Sequence, residues 1–220
     1  MIIGITGQAG SGKDTIALHL CDKYRFIRVG LADPLKRICK EVYDFTDEQL
    51  WGPSEKRNAG DKRYWRKKKD GTPDILSPRY ALQTLGTEWG RDCYPNTWID
   101  YGIRVAKSLE AGYAKYNPQD GLIITEKDVG EIGGVVFSDL RFKNEIDAVK
   151  AAGGLLIRVK RPGYDGNVGV ANHASEEEQK TISDDTFDRI LNNTGSIADL
   201  LNEVDRMMKY PPFWRVENVA

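Results

Sequence analysis

Ile2-Ile3-Gly4-Ile5-Thr6-Gly7-Gln8-Ala9-Gly10-Ser11-Gly12-Lys13-Asp14-Thr15 carries a short apolar run directly into a glycine-rich turn. A helical pattern follows through Ile16, Leu18, His19 and Leu20 and ends near Tyr24. Strand, loop and helix in that order, with Gly7-x-x-x-x-Gly12-Lys13 at the joint, form the phosphate-loop pattern. Glycines let successive backbone N–H groups turn inward around phosphate oxygens. The helix adds its positive dipole end, and Lys13 adds a full charge. Gly7, Gly10, Ser11, Gly12, Lys13, Asp14 and Thr15 are therefore the candidate ATP-binding residues.

Asp14 departs from the general pattern, which places a Mg²⁺-binding Ser or Thr after the lysine. A carboxylate beside a triphosphate is repelled unless a cation stands between them. Two readings stay open. Asp14 helps hold Mg²⁺, directly or through water, with the Thr15 hydroxyl as its neighbour; or it only favours the helix N-terminus electrostatically.

Outward from this loop, apolar runs place strands near 2–6, 26–29, 135–139, 155–159 and 188–192. Their alternation with helices predicts an α/β fold, a five-stranded, mostly parallel sheet flanked by helices. Asp139 ends the run Val135-Val136-Phe137, where the metal-side acid of a phosphate-loop enzyme sits. Arg141, two residues on, is placed to neutralise charge on a transferring phosphate. Lys13, Asp139 and Arg141 are the candidate catalytic set, and Asp14, Thr15 and Asp139 the candidate metal set. Glu145 falls on the first turn of a helix over 144–152, where it caps the helix or orients Arg141; orienting is the favoured role.

Asp33-Pro34 reads as a helix start, with Asp33 as the cap and Pro34 at the first helical position. From Lys56 to Lys69 basic residues crowd together with no apolar period, which predicts a solvated loop or flap. Ser77-Pro78 opens a helix running from Arg79 to about Arg91, with Leu82, Leu85 and Trp89 on one side. Another helix spans 97–111, and 122–125 is a strand in a local hairpin. Trp89 and Trp98 could stack on a base, though Trp89 shares its spacing with core leucines. Arg79 and Arg91 could hold a phosphate, and Gln83 reads a base edge or is solvated. Residues 160–178 follow the fourth strand, the place of a lid closing over phosphates; Arg161, His173 and Glu176 are its candidate side chains, against the alternative of a plain surface loop. Ser196 caps the last helix.

Length and composition bound these readings. With 220 residues, 40% hydrophobic and 30% charged, the chain suits one domain over 1–220, with an insertion at about 45–134 and the lid at about 160–178. No apolar run is long enough for a membrane span. The N-terminus carries no secretory pattern, so a cytoplasmic place is expected. Three scattered cysteines and two histidines do not make a Cys/His metal site. A net charge of −1 argues against a nucleic-acid sleeve, so nucleic acid is not expected as a partner.

Ser77-Pro78-Arg79-Tyr80-Ala81-Leu82-Gln83-Thr84-Leu85-Gly86-Thr87-Glu88-Trp89-Gly90-Arg91, followed by Trp98-Ile99, resembles the deoxynucleoside monophosphate kinases of tailed bacteriophages. So do Gly12-Lys13-Asp14-Thr15, Ser138-Asp139-Leu140-Arg141-Phe142-Lys143-Asn144-Glu145 and His173-Ala174-Ser175-Glu176, in this order, over most of residues 1–205. The resemblance implies a nucleoside monophosphate kinase-like fold with its acceptor site in the inserted helices. It implies transfer of the ATP γ-phosphate to a deoxynucleoside 5′-monophosphate with Mg²⁺, in the host cytoplasm if a phage encodes the chain. It points to Arg79, Gly86 and Trp98 on the acceptor side and to Asp139, Arg141 and Glu145 on the phosphate side. The basic stretch would add acceptor contacts, with Arg63 and Lys67 as candidates at one-turn spacing. A homodimer is compatible with all of this.

Three rival readings share these features. The acceptor is another small molecule, such as dephospho-coenzyme A or phosphomevalonate. The chain is a nucleic-acid-end kinase gripping a backbone with Lys56 to Lys69. Or it is a non-catalytic nucleotide-binding subunit.

Overall fold

β1 (Ile2–Gly7) is the middle strand of a five-stranded parallel sheet in a computed structural model that describes residues 1–126, 128–163, 178–179 and 181–209. The order is β2-β7-β1-β8-β9, with β2 at Phe26–Arg28, β7 at Gly134–Phe137, β8 at Leu155–Lys160 and β9 at Arg189–Asn192. Ile3 stands opposite Val136 on one side and Leu155 on the other, which fixes the register. Ile2, Ile3, Ile5 and all of β7 are buried, as strands covered on both faces require. All five expected strands are present. β2 and β7 lie on one side of β1, and the chain then crosses to β8 and β9 on the other, which makes the C-terminal end of β1 the switch point where ligands bind in such sheets.

Residues 1–28, with those from 133 onward, form one compact unit; residues 29–132 form a second. The first unit holds the sheet, α1 (Lys13–Tyr24), α7 (Lys143–Ala151) and α8 (Ile197–Lys209). Ile16, Leu20, Leu200 and Val204 pack with Ile5 and Ile157 into its core. Asp205 on α8 accepts from His19 at 2.6 Å, Tyr24 at 2.8 Å and Lys23 at 2.5 Å, tying α8 to α1.

The second unit contains α2 (Asp33–Tyr43), α3 (Asp47–Trp51), α4 (Ser54–Asn58), α5 (Pro78–Thr84) and α6 (Thr97–Glu110). It also carries two hairpins, β3 (Trp65–Lys67) with β4 (Pro73–Ile75), and β5 (Ala114–Asn117) with β6 (Gly121–Ile124). Cys39, Phe45, Leu50 and Ala81 form its core under Tyr43 and Tyr64. Ser77 caps α5 as expected, accepting from the Tyr80 N–H.

Three expectations are corrected here. The cap of α2 is Ala32; Asp33 is already helical, and its carboxylate turns back to accept from the Gly30 N–H. The basic stretch is a loop over 59–64 and 68–69, as expected, but it also holds the end of α4 and the strand β3 of a hairpin. Its strand was hidden because Trp65 and Lys67 both face solvent, leaving no apolar alternation. The helix from Ser77 changes winding: α5 ends at Thr84 and Leu85–Arg91 is a π-helix. A Cβ on Gly90 would meet Trp98 Cζ2 at 2.2 Å, so the glycine lets the indole pack there. No helix among the described residues is long and apolar enough to cross a membrane.

Candidate active site

The loop after β1 is built by backbone geometry. Gly12 holds φ 108° as the residue before α1, and no side chain caps that helix. Gly7 holds φ 151°, and a Cβ on it would meet the Val159 carbonyl oxygen at 2.5 Å. Both positions therefore exclude side chains. Ser11 is buried, and its Oγ has no partner among the described residues. A buried hydroxyl inside a loop of amides suits an anion's oxygen. Asn193, just past β9, donates from Nδ2 to the Ser11 carbonyl at 2.9 Å, and Arg161 donates to the Gly10 carbonyl at 3.1 Å.

Lys13 lies at the bottom of this loop and is 7% exposed. Its Nζ donates to the Gln8 carbonyl at 3.2 Å and stands 3.6 Å from Asp139 Oδ1. Arg141 reaches Asp139 Oδ2 with Nε at 2.9 Å and Nη2 at 2.7 Å. Desolvation pushes the Asp139 carboxyl up, but the Arg141 and Lys13 charges outweigh it and hold it below the usual carboxylate range. The node thus stays ionised, with two cations on one acid. It carries a net positive charge facing the chemistry of phosphate.

Glu145 is buried, and its Oε2 accepts from the Arg141 N–H at 2.7 Å and the Phe142 N–H at 3.2 Å. These bonds cap the start of α7 and fix the backbone of Arg141, whose guanidinium meets Asp139. Asp14, in the first turn of α1, pairs with Arg28 at the end of β2. Arg28 also donates from Nε to Ser138 Oγ at 2.8 Å, beside Asp139.

A cavity of about 290 Å³ opens beside the loop. Gly10, Gly12, Lys13, Asp14 and Thr15 line one part, and Arg161, Asn193, Gly195, Ile197 and Leu200 another. Asn193 and Gly195 were not singled out from sequence; their signal was the turn cluster Asn192-Asn193-Thr194-Gly195 at the C-terminal end of a parallel strand. Of the lid candidates, Arg161 meets the phosphate loop; His173 and Glu176 lie outside the described residues, as does most of 160–178.

The oxygen donors Asp14, Thr15 and Asp139 suit a hard cation such as Mg²⁺. Among the described residues no group of three or more His, Cys, Asp or Glu forms a protein cage. A donor set of this kind fits Mg²⁺ that arrives with a nucleotide's phosphates.

The acceptor candidates of the second unit separate by environment. Trp98 is buried and donates from Nε1 to the Gly86 carbonyl at 2.9 Å, so its indole serves packing. Trp89 is 53% exposed, with its ring centroid 6.3 Å from that of Trp98. Leu82 and Leu85, whose spacing it shares, pack against the second unit's core. Arg79 donates to Asn58, and Gln83 and Arg91 are half-buried. The one-turn spacing assumed for Arg63 and Lys67 is corrected, since no helix runs there. Arg63 is taken up by Asp44 at 2.8 Å and by Asp61, while Lys67 is exposed on β3. A further polar cluster was missed because Asp33 was read only as a cap. Buried Asp33 accepts from Tyr116 at 2.9 Å and Trp51 at 3.1 Å, with Lys36 Nζ 3.4 Å away. Burial first, and then the Asp33 charge, raise the Tyr116 hydroxyl well above its ordinary value.

No family model matches the chain. It is 33% identical over 204 residues, 93% of this chain and 94% of the other, to a protein of Acanthamoeba polyphaga mimivirus provisionally named deoxynucleotide monophosphate kinase. Among solved structures it is similar to dephospho-CoA kinase from Campylobacter jejuni, at 15% identity and TM-score 0.46, covering 94% of this chain and 95% of that one. It is also similar to TT1252 from Thermus thermophilus, at 19% identity and TM-score 0.44, covering 95% and 96%.

Proposed function

The chain belongs to the same family as the mimivirus deoxynucleotide monophosphate kinase, and from that premise we propose that it transfers the γ-phosphate of ATP to a deoxynucleoside 5′-monophosphate. The observation that carries the phosphotransfer is the ionised Lys13–Asp139–Arg141 node at the mouth of the phosphate loop. An acceptor phosphate oxygen is already anionic at neutral pH, so the chain needs no general base. That oxygen attacks the γ-phosphorus, the bond to the β-phosphate bridging oxygen breaks, and ADP leaves with the electron pair. The loop amides and Lys13 hold the β- and γ-phosphates. Arg141, carried on Asp139, turns toward the transferring group and neutralises the charge spread over its oxygens. The cavity past β9 takes the rest of the donor nucleotide, and Arg161 approaches its phosphates from the loop's open side.

Mg²⁺ would be held by the Thr15 hydroxyl and the Asp139 carboxylate with the nucleotide's phosphates; Asp14 joins only by releasing Arg28. When bound, the ion neutralises phosphate charge. The proposed acceptor residues are exposed Trp89 as a stacking face, with Arg79 and Arg91 as anion partners. Mass spectrometry of the products from ATP, Mg²⁺ and a deoxynucleoside monophosphate tests this reading. A deoxynucleoside diphosphate and ADP in equal amounts support it, and ADP without the diphosphate refutes it.

A further inference from the structure

Asp14 sets a problem that the phosphate loop does not solve by itself. Its carboxylate lies on the residue after Lys13, in the first turn of a helix whose amides would meet a triphosphate. An added negative charge there weakens the binding of every phosphate beside it. Lys13 is not available to offset it, because its Nζ is directed to the Gln8 carbonyl and Asp139. The structure supplies a different cation, Arg28, from the end of β2. Its Nη2 pairs with Asp14, and its Nε is fixed by Ser138 Oγ at 2.8 Å. Ser138 is 4% exposed and directly precedes Asp139. One guanidinium therefore joins the first turn of α1 to the end of β7.

We propose that Arg28 is a positioning residue for donor binding, which neutralises Asp14 and so lets this phosphate loop carry an aspartate beside a triphosphate. The inference rests on the phosphate-loop reading of the site. It assigns Arg28 a role through Asp14 and not through contact with the reacting atoms. Removing Arg28 alone leaves Asp14 uncompensated; removing both charges leaves the loop neutral at that point. The two substitutions must then be strongly coupled.

Isothermal titration of the full-length protein with ATP, with EDTA and again with Mg²⁺, tests this in wild type, Arg28→Ala, Asp14→Asn and the double variant. Thermal melts run alongside. Arg28→Ala is expected to weaken ATP binding about ten-fold or more, a coupling of ordinary size for a charge pair in contact. Asp14→Asn is expected to bind ATP at least as well as wild type. The double variant is expected to return to within about three-fold of it. The loss in Arg28→Ala is expected to be larger in EDTA, where no cation shields Asp14. If Arg28→Ala does not fold, Arg28→Lys takes its place: the retained charge should keep ATP affinity within about three-fold of wild type. A double variant as weak as Arg28→Ala alone, Arg28→Ala binding like wild type, or Arg28→Lys binding ten-fold more weakly overturns the proposal. Wild type that binds no ATP overturns both this inference and the function it rests on.

Discussion

Lys13 Nζ stands 3.6 Å from Asp139 Oδ1, which couples the start of α1 to the end of β7 across the mouth of the phosphate loop. Asp139 would otherwise repel phosphate. With Lys13 on one oxygen and Arg141 on the other, it instead gathers cations where a transferring phosphoryl group needs them.

Lys13→Ala should abolish phosphoryl transfer, since the charge acts on the β- and γ-phosphates. Its side chain is buried in the loop but contributes little to the apolar core, so circular dichroism should be unchanged. Turnover near the wild-type rate would remove the loop from the mechanism.

Arg141→Ala should lower kcat by roughly two or more powers of ten, as for a charge that acts mainly on the transferring group. Steady-state kinetics separate this from an anchoring role. A rise in acceptor KM at constant kcat would make Arg141 a ground-state contact instead.

The two tryptophans should separate function from packing. Trp98→Ala removes a buried indole and its hydrogen bond to Gly86, and should cost about 3–5 kcal/mol of stability. Trp89→Ala removes an exposed ring, should change stability by no more than about 0.5 kcal/mol, and should raise the acceptor KM. Equal thermal shifts in the two variants would contradict this division.

Asp205 gives a pH signature outside the site. Hydrogen bonds from Lys23 and His19 hold its carboxyl well below the usual carboxylate range. A depressed folded value stabilises above the unfolded value of about 3.9 and is lost as pH falls through the folded one. Asp205→Asn should therefore cost about 1–3 kcal/mol at neutral pH, through the lost charged hydrogen bonds. The gap in Tm to wild type should narrow as pH drops below about 4. A gap that is constant with pH would show that the charge is not the stabilising element.

The parallel sheet was legible because burial on both faces writes itself as apolar runs such as Val135-Val136-Phe137. The phosphate loop was legible because only glycine fits Gly7 and Gly12. The β3–β4 hairpin was not, since Trp65 and Lys67 on its outer face need no apolar partner. Nor was the π-helix, because Leu82, Leu85 and Trp89 fit ordinary helical spacing, and the close approach of Trp98 to Gly90 from another helix exists only in the fold. Arg28 was hidden as one charge in an apolar strand, and its partners Asp14 and Ser138 are distant in sequence. Asn193 likewise meets Ser11 only through the fold.

The central claim is tested most directly by the rate of ADP formation with ATP and Mg²⁺ against a panel of acceptors. The panel holds each deoxy- and ribonucleoside monophosphate, dephospho-coenzyme A, phosphomevalonate and a 5′-hydroxyl oligonucleotide. The account expects turnover with one or more deoxynucleoside monophosphates, and none with the last three. Turnover confined to one of those three, or ATP binding with no turnover on any acceptor, would contradict it.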